Sequence, residues 1–402
     1  MLWLFDTLLT LAALLLLVPV GYLGFLTLLS GKLPPPKPGG EALRFDLVVP
    51  AHNEELGIGR TVNNLLELDW PKAQFRVLVV ADNCKDTTAQ KAREAGATVL
   101  ERFSDTEKGK GYALHHAFTR SLADKRADAV VVVDADTLVS KNLLRAYASR
   151  LAQGALAVQA HYGVLEEKSS WRTRLMRIAF SVFHGVRSLA RERLGVSCGL
   201  RGNGMCFAHA LIEKVPHDAF SVVEDVEYGL RIGKQGIRVW YAHEAEVLGE
   251  MVSSEKASRS QRRRWEAGRL ALMKQHGWPM LSLGLDNRSL MQVDLAADIL
   301  VPPLTWLAAP VFLGFGLAGV LSLVQSSPLV ALYPLSIALL TLTLYVLRGW
   351  MLSGVGLRGL GDLAYAPFYM AWKIALMLRP AAEKKGEWVR TTREAEVKEE
   401  PK

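Results

Sequence analysis

The chain has 402 residues, of which 50% are hydrophobic, and its mean hydropathy is +0.15. This composition excludes a solvated disordered chain, because half of the residues favour burial. Three cysteines are too few for a disulfide framework, and no Cys/His spacing indicates structural zinc. The net charge of +8 fits either nucleic acid or an anionic membrane surface as a partner, and the location of the apolar residues distinguishes the two.

The N-terminal segment predicts a membrane-spanning helix. Leu2 to Leu29 is almost wholly apolar and exceeds the roughly 20 residues that a span needs. A signal peptide would carry a basic residue before a shorter apolar core, but no lysine or arginine precedes this segment. We therefore expect an uncleaved transmembrane helix over residues 1–31 and a proline-rich linker over 32–43. The basic residues after the helix place its C-terminal end in the cytosol.

The C-terminal apolar region predicts two further transmembrane helices within residues 285–350. The first runs from Ala296 to Val324 and contains the Pro302-Pro303 pair, which helices packed in a bundle tolerate. The second runs from Leu329 to Leu347. Residues 351–402 are expected to form an interfacial helix or a third C-terminal membrane helix, followed by a basic cytosolic tail.

Residues 44–284 have the composition of a soluble domain. Short apolar runs that include Arg44 to Pro50, Phe75 to Val80 and Ala127 to Val133 alternate with segments of helical spacing. This alternation predicts an α/β domain with a parallel, doubly wound sheet. In such sheets ligands bind beyond the carboxyl ends of the strands, so the residues that follow each strand are candidate site residues.

Polar residues follow three of these predicted strands. They are Pro50, Ala51, His52, Asn53 and Glu54 at and just after the end of the run that begins at Arg44, Asp82 after the run that begins at Phe75, and Asp134 and Asp136 after the run that begins at Ala127. Carboxylates two residues apart, as in Asp134 and Asp136, suit a divalent cation that also binds substrate phosphates. Asp82 is suited to accept a nucleobase N–H. Lys110 is placed to meet phosphate charge, with an exposed, solvated loop as the alternative.

Two later motifs also carry charge. Glu224 and Asp225 stand at the start of a helical segment, where acidic residues also favour the helix dipole. A basic run contains Gln261, Arg264 and Trp265, which fits either a membrane-surface patch or a site where arginine binds a diphosphate and tryptophan packs on a sugar. The chain lacks a GxxxxGK[ST] loop, a dinucleotide fingerprint in its strand-helix context and a nucleic-acid reading module, which argues against those classes.

The order and spacing of these residues resemble family 2 glycosyltransferases. The narrower resemblance is to the membrane-embedded branch with cellulose, chitin and hyaluronan synthases and ceramide glucosyltransferase-like enzymes. It implies a GT-A fold (Rossmann-like, mostly parallel sheet) in a cytosolic domain flanked by transmembrane helices. It also implies a UDP-sugar donor, Mg²⁺ or Mn²⁺ as cofactor, and inversion at the transferred sugar.

The resemblance also implies a role for each matching residue. Asp82 would bind the nucleobase, with Ala51, His52 and Glu54 beside it, and Asp134 and Asp136 would hold the metal. Asp225, next to Glu224, would be the general base. The pyrophosphate and acceptor sugar would contact Gln261, Arg264 and Trp265, and the acceptor loop would consist of Gly202, Asn203 and Gly204. His52 stands where many of these synthases carry a tyrosine. Lys110 completes the expected donor-binding set.

These observations favour an integral inner or plasma membrane glycosyltransferase with its catalytic domain in the cytosol. Its expected partners are a UDP-sugar, a lipid-linked or growing glycan acceptor and membrane lipids, without nucleic acid; a homo-oligomer or export partners stay open. A processive exopolysaccharide synthase of the chitin, hyaluronan or poly-N-acetylglucosamine type is the alternative, and a non-catalytic export component is a third hypothesis. The arginine-rich segment 170–194 is expected to lie on an anionic leaflet as an amphipathic interface helix, or else to pack on the domain.

Overall fold

The computed structural model describes residues 2–165, 170–250, 255–368 and 370–371, with backbone only for residue 2 and residues 255–266. The described chain divides into two compact units. The α/β unit consists of residues 33–165, 194–250 and 255–297, and the helical unit consists of residues 2–32, 170–193 and 298–371.

Eight strands and fourteen α-helices are formed by the described residues. The strands are β1 (Phe45–Ala51), β2 (Phe75–Asp82), β3 (Thr98–Arg102), β4 (Ala129–Val132), β5 (Thr137–Val139), β6 (Ala157–Val164), β7 (Met205–Ala208) and β8 (Val239–Gly249). The helices are α1 (Leu2–Leu29), α2 (Ile58–Leu66), α3 (Thr88–Glu94), α4 (Lys110–Asp124), α5 (Leu143–Ala152), α6 (Trp171–Phe180), α7 (Arg187–Leu194), α8 (His209–Lys214), α9 (Glu224–Lys234), α10 (Glu255–Asp286), α11 (Leu290–Leu300), α12 (Leu304–Gln325), α13 (Leu332–Ser353) and α14 (Gly356–Asp362).

All eight strands join one sheet in the order β3-β2-β1-β4-β7-β6-β8-β5. The first four strands are parallel, as the sequence predicts, and β7 runs antiparallel to both β4 and β6. Every residue of β1 is buried, which is typical of a strand whose sheet is covered on both faces. Because β1, β2 and β4 are adjacent and parallel, the residues after them lie at one edge of the sheet.

The helical unit contains three described helices that are long and apolar enough to cross a membrane: Trp3–Leu29, Leu304–Gln325 and Leu332–Ser353. The expected span from Ala296 to Val324 is wrong at its start, because the chain breaks between α11 and α12. Pro302 and Pro303 lie between these two helices. Proline lacks the N–H that a continuous helix needs, which explains the interruption. The last span extends past Leu347 to Ser353, so Arg348 lies within the helix, where its guanidinium donates to Ser30 Oγ at 2.9 Å.

The predicted C-terminal membrane or interfacial helix is described only in part. The structure describes α14 and a 3₁₀ turn over Leu363–Tyr365. Residue 369 and residues 372–402, which include the basic tail, lie outside the described residues.

The arginine-rich segment 170–194 forms α6, a π-helical turn over Ser181–Val186, and α7, and all of it except Leu194 belongs to the helical unit. The side chains of Arg187 and Arg191 are 3% and 0% exposed and pair with Asp298 at 3.0 and 2.8 Å. The expectation that this helix presents its arginines to lipid headgroups is therefore wrong for these two residues. A buried guanidinium is stable when a carboxylate and further acceptors satisfy its N–H groups, and Arg187 donates one such bond to Tyr345 Oη at 2.8 Å.

Candidate active site

Asp82, the last residue of β2, holds a fully buried carboxylate at the binding edge of the sheet. Arg102, the last residue of β3, donates to Asp82 Oδ1 at 2.8 Å. Asp82 Oδ2 is buried without a hydrogen-bond partner among the residues that the structure describes. A buried acceptor without a donor costs free energy, so this oxygen is suited to accept an N–H group from a bound molecule.

The segment after β1 forms a wall beside Asp82. Ala51 ends the strand and is buried, and His52 Nδ1 lies 2.7 Å from the backbone oxygen of Asp82. Asn53 has a left-handed φ of +57°, which turns the chain sharply at this point. The side chain of Asn53 and the backbone N–H of Glu54 both bond to the segment that follows β2. Three of the predicted donor-side residues therefore line the edge of the sheet next to Asp82.

A second group of predicted residues meets at Lys110, the first residue of α4. Its Nζ lies 2.6 Å from Asp134 Oδ1 and 3.7 Å from Glu224 Oε1, and it donates to the backbone oxygen of Gly202 at 2.5 Å. A Cβ atom added to Gly202 would lie 3.3 Å from Asp225 Oδ2. The structure thus brings together residues that are 115 positions apart in the sequence, between Lys110 and Asp225.

The predicted acceptor loop is a tight turn joined to the Asp134 segment. Gly202 and Gly204 have φ values of +80° and +67°, which side chains with a Cβ rarely adopt. Asn203 between them is buried, accepts from the backbone N–H of Asp134 at 3.1 Å, and donates to Thr137 Oγ1 at 2.7 Å. Asn203 therefore fixes the turn against the segment that carries both predicted metal ligands.

Burial and neighbouring charge shift the acidity of this cluster. Burial raises the pKa of Glu224 to about 7, against the opposite effect of the Lys110 ammonium. Burial also raises the pKa of Asp225, and the Lys110 charge again opposes it. For Lys110, burial would lower the pKa, but the charges of Asp134 and Glu224 outweigh it and raise the value. A carboxylate with a raised pKa is a stronger proton acceptor, which is the property that a general base needs.

Asp134 and Asp136 offer two carboxylates for a divalent cation. Asp134 is 30% exposed, and Asp136 is partly buried, so neither is sealed in the core. Within the described ranges, no three His, Cys, Asp or Glu side chains are grouped to hold a metal. Two carboxylates nevertheless fit Mg²⁺ or Mn²⁺, because Mg²⁺ commonly uses one or two carboxylates together with water and substrate phosphates.

The predicted Gln261, Arg264 and Trp265 lie on the backbone of α10, close to its N-terminal end. Their side chains are outside the described part of the chain, so their expected contacts with pyrophosphate and acceptor stay a prediction.

Two residues of the site were missed in the sequence. Arg102 ends a parallel strand beside the crevice, as Asp82 does, and its position at the end of β3 is the signal that could have identified it. Tyr162 on β6 is the second. Burial raises its pKa, and the charges of Asp134 and Asp136 add to the effect, so its hydroxyl belongs to the same cluster. No motif in the sequence signals Tyr162.

Comparison with known proteins places the chain in a family. A family model described as "Glycosyltransferase like family 2" matches residues 43–268, more than half of the chain. The chain is 25% identical over 237 residues to the probable glycosyltransferase YdaM of Bacillus subtilis, covering 57% of this chain and 56% of that protein. It is 28% identical over 231 residues to the beta-monoglucosyldiacylglycerol synthase of Synechocystis sp., covering 55% of this chain and 47% of that protein. The chain therefore spans about half the length of these relatives.

A solved structure gives the same fold. The mannosyltransferase PcManGT from Pyrobaculum calidifontis, solved with GDP-Man and Mn²⁺, matches with a TM-score of 0.55 and 18% identity, covering 90% of this chain and 99% of that one. This likeness confirms the predicted GT-A fold. The narrower resemblance to cellulose, chitin and hyaluronan synthases stays a prediction. The matched family model and the fold agree with the strand-end motifs: this chain belongs to glycosyltransferase-like family 2.

Proposed function

We propose that the chain is a membrane-bound, inverting glycosyltransferase that moves one sugar from a UDP-sugar to a lipid acceptor at the cytosolic face. The observation that carries the proposal is that Asp134, Glu224 and the Gly202 turn meet at Lys110. The same sheet edge holds Asp82 Oδ2, which has no hydrogen-bond partner among the described residues. A nucleotide bound over this edge has its base at β2 and its diphosphate at the end of β4, on the two sides of β1.

The donor half of the site favours uridine. Asp82 Oδ2 accepts the single ring N–H of uracil, while Arg102 already occupies Oδ1. Guanine presents two adjacent N–H donors, which a carboxylate binds best when both of its oxygens are available. Since Arg102 holds one of them, the pair is better matched to uracil.

The reaction is a single displacement. Asp225 takes the proton of the acceptor hydroxyl as its oxygen attacks the anomeric carbon; the bond from that carbon to the phosphate oxygen breaks, and UDP leaves with the electron pair. General-base assistance of this kind contributes roughly 10²–10⁴ in rate. Asp134 and Asp136 would hold Mg²⁺ or Mn²⁺, which supplies charge stabilisation for the leaving diphosphate. Because this step uses a base and no protein nucleophile, it transfers the sugar with inversion.

Two observations favour a lipid acceptor. Three apolar helices on the same chain are suited to hold the α/β unit at a membrane. One of the relatives is named for a glucosyldiacylglycerol product, which agrees with an acceptor of this class.

Product analysis in nanodiscs tests the proposal. The purified protein receives each radiolabelled UDP-sugar with Mn²⁺ and extracted membrane lipids, and label is measured in the lipid and high-molecular-weight fractions. We expect one labelled lipid from one donor. Asp225→Asn should lower turnover by about 10²–10⁴ with UDP affinity unchanged within about threefold. Asp286→Asn, an exposed carboxylate on α10, is the matched control and should keep wild-type turnover.

High-molecular-weight product that forms without added lipid would replace the proposal with the processive synthase. Absence of incorporation and of UDP release with every donor would refute it.

A further inference from the structure

Lys110 occupies a position where a lysine is electrostatically disfavoured. It is the first residue of α4, and the positive end of the helix dipole repels a cation there. Its side chain is only 19% exposed, although lysine is rarely buried without compensating partners. Both features indicate that the ammonium is retained for the contacts it makes.

The ammonium of Lys110 makes two short contacts and one longer ion pair. An ammonium has three N–H donors. Here it faces three acceptors: Asp134 Oδ1 at 2.6 Å, the backbone oxygen of Gly202 at 2.5 Å and Glu224 Oε1 at 3.7 Å. Two N–H donors are thus committed to Asp134 and Gly202, and the third faces the Glu224 carboxylate, which a diphosphate would have to displace. This argues against the phosphate-binding role predicted for Lys110.

The three acceptors come from three separate parts of the α/β unit. Asp134 follows β4 on the donor side, Gly202 lies in the glycine turn, and Glu224 begins the helix that carries the proposed base. The start of α4 is also packed closely. A Cβ atom on Gly111 would lie 2.2 Å from the backbone oxygen of Ala219, in the segment that leads into α9. The ammonium is thus held at the junction of all three segments.

We propose that Lys110 is a positioning residue that locks the donor-side carboxylate, the glycine turn and the start of α9 into one arrangement; this rests on the proposed function. The ammonium binds Asp134 Oδ1 and leaves Oδ2, with the Asp136 carboxylate, for a divalent cation. It also balances the charge of Glu224, so that Asp225 beside it is held next to Gly202. Lys110 competes with the metal for Asp134 and acts on the reaction through the groups that it orients.

Lys110→Met tests this role, because methionine is of similar length and uncharged. Mn²⁺ affinity is measured without donor by electron paramagnetic resonance, UDP affinity by calorimetry at saturating Mn²⁺, and turnover by UDP release. We expect kcat to fall about 10²-fold through misplacement of the reacting groups, with the donor KM within about threefold. Mn²⁺ should bind about tenfold more tightly, because a competing positive charge has been removed. Lys125→Met, on an exposed lysine after the same helix, should match the wild type in all three measurements.

Chemical rescue distinguishes positioning from a general loss of structure. Lys110→Cys treated with 2-bromoethylamine regains an ammonium at nearly the original distance, with wild-type protein treated in parallel. Recovery of at least a tenth of the wild-type kcat, with Mn²⁺ affinity returned to its original value, supports the role.

UDP affinity reduced tenfold or more in Lys110→Met with unchanged Mn²⁺ affinity would overturn the inference in favour of a phosphate contact. Wild-type kcat in that variant would also overturn it. Failure of the wild type itself to bind UDP would refute the proposed function, whereas the Mn²⁺ comparison between wild type and Lys110→Met would still decide the role of Lys110.

Discussion

Gly111→Ala is a sharp test of how closely α4 is packed against the segment before α9. The added Cβ would lie 2.2 Å from the backbone oxygen of Ala219 and 3.1 Å from Phe220 Cα, whereas ordinary contacts begin near 3.4 Å. Neither neighbour is a flexible side chain, so the two segments must separate by about 1 Å. Lys110 moves with one segment and Asp225 with the other.

The expected loss of stability in Gly111→Ala follows from two opposing effects, and the expected loss of turnover follows from the change in geometry. Alanine gains about 1 kcal/mol over glycine in a helix, and overpacking with a backbone shift costs about 1–3 kcal/mol. The net loss in the free energy of unfolding is therefore about 0–2 kcal/mol. A displacement of about 1 Å between reacting groups lowers turnover by about 10²-fold. Turnover should thus fall about 10²-fold while the free energy of unfolding falls by at most about 2 kcal/mol.

The assay compares kcat and the apparent Tm in nanodiscs with those of Gly59→Ala. Gly59 lies in α2, and a Cβ atom there meets nothing within 4 Å, so this control should keep its activity and gain up to about 1 kcal/mol. A Gly111→Ala enzyme whose kcat stays within twofold of the control would show that the close approach of α4 does not position the site.

Three further perturbations probe separate parts of the chain. Asp82→Asn replaces the accepting oxygen and should weaken UDP binding by about 10–100-fold in calorimetry; an unchanged Kd would exclude this carboxylate as the base contact. His217 is 3% exposed, and burial lowers its pKa to about 4. Between pH 6.5 and 4 the unfolded chain therefore binds one proton more than the folded chain. The free energy of unfolding falls by roughly 3 kcal/mol as the pH falls through this window. His217→Phe should flatten that loss in pH-dependent unfolding, and an unaltered slope would contradict the burial argument. Asp298→Ala leaves Arg187 and Arg191 without their shared carboxylate and should cost about 3–5 kcal/mol, measured as a lower apparent Tm, with an unshifted Tm counting against the ion pairs.

The parallel half of the sheet was predictable from the sequence because its strands are short apolar runs between amphipathic helices. The predicted strand from Phe75 to Val80 and the observed β2 share their first residue and differ by two at the end. Each of these strands pairs with a parallel neighbour in the same half of the sheet. The local hydrophobic pattern is therefore enough to predict them as strands. The meeting of Asp82, Asp134 and Asp136 at one edge followed from that topology.

The second half of the sheet was not predictable in the same way. β8 contains His243, Glu244 and Glu246, which interrupt the alternation of an ordinary strand, and β5 has only three residues. These strands depend on pairing with distant parts of the chain, and β6 and β8 shift register at Ala160. Lys110 was singled out, but its partners were not, because two acidic residues and a backbone oxygen from separate segments leave no local signal.

The shared carboxylate of Asp298 has a consequence for how the protein is made. Arg187 and Arg191 leave the ribosome about a hundred residues before Asp298 does. At a synthesis rate of roughly 5–20 residues per second, Asp298 is added about 5–20 seconds after the two arginines. Burial of both guanidiniums before then would be strongly unfavourable, so we expect α7 to bury these arginines only after Asp298, about three quarters of the way along the chain, has been synthesised. Completion of the helical unit is therefore a late event in biogenesis, and a chain that ends before Asp298 cannot bury these arginines in the same way.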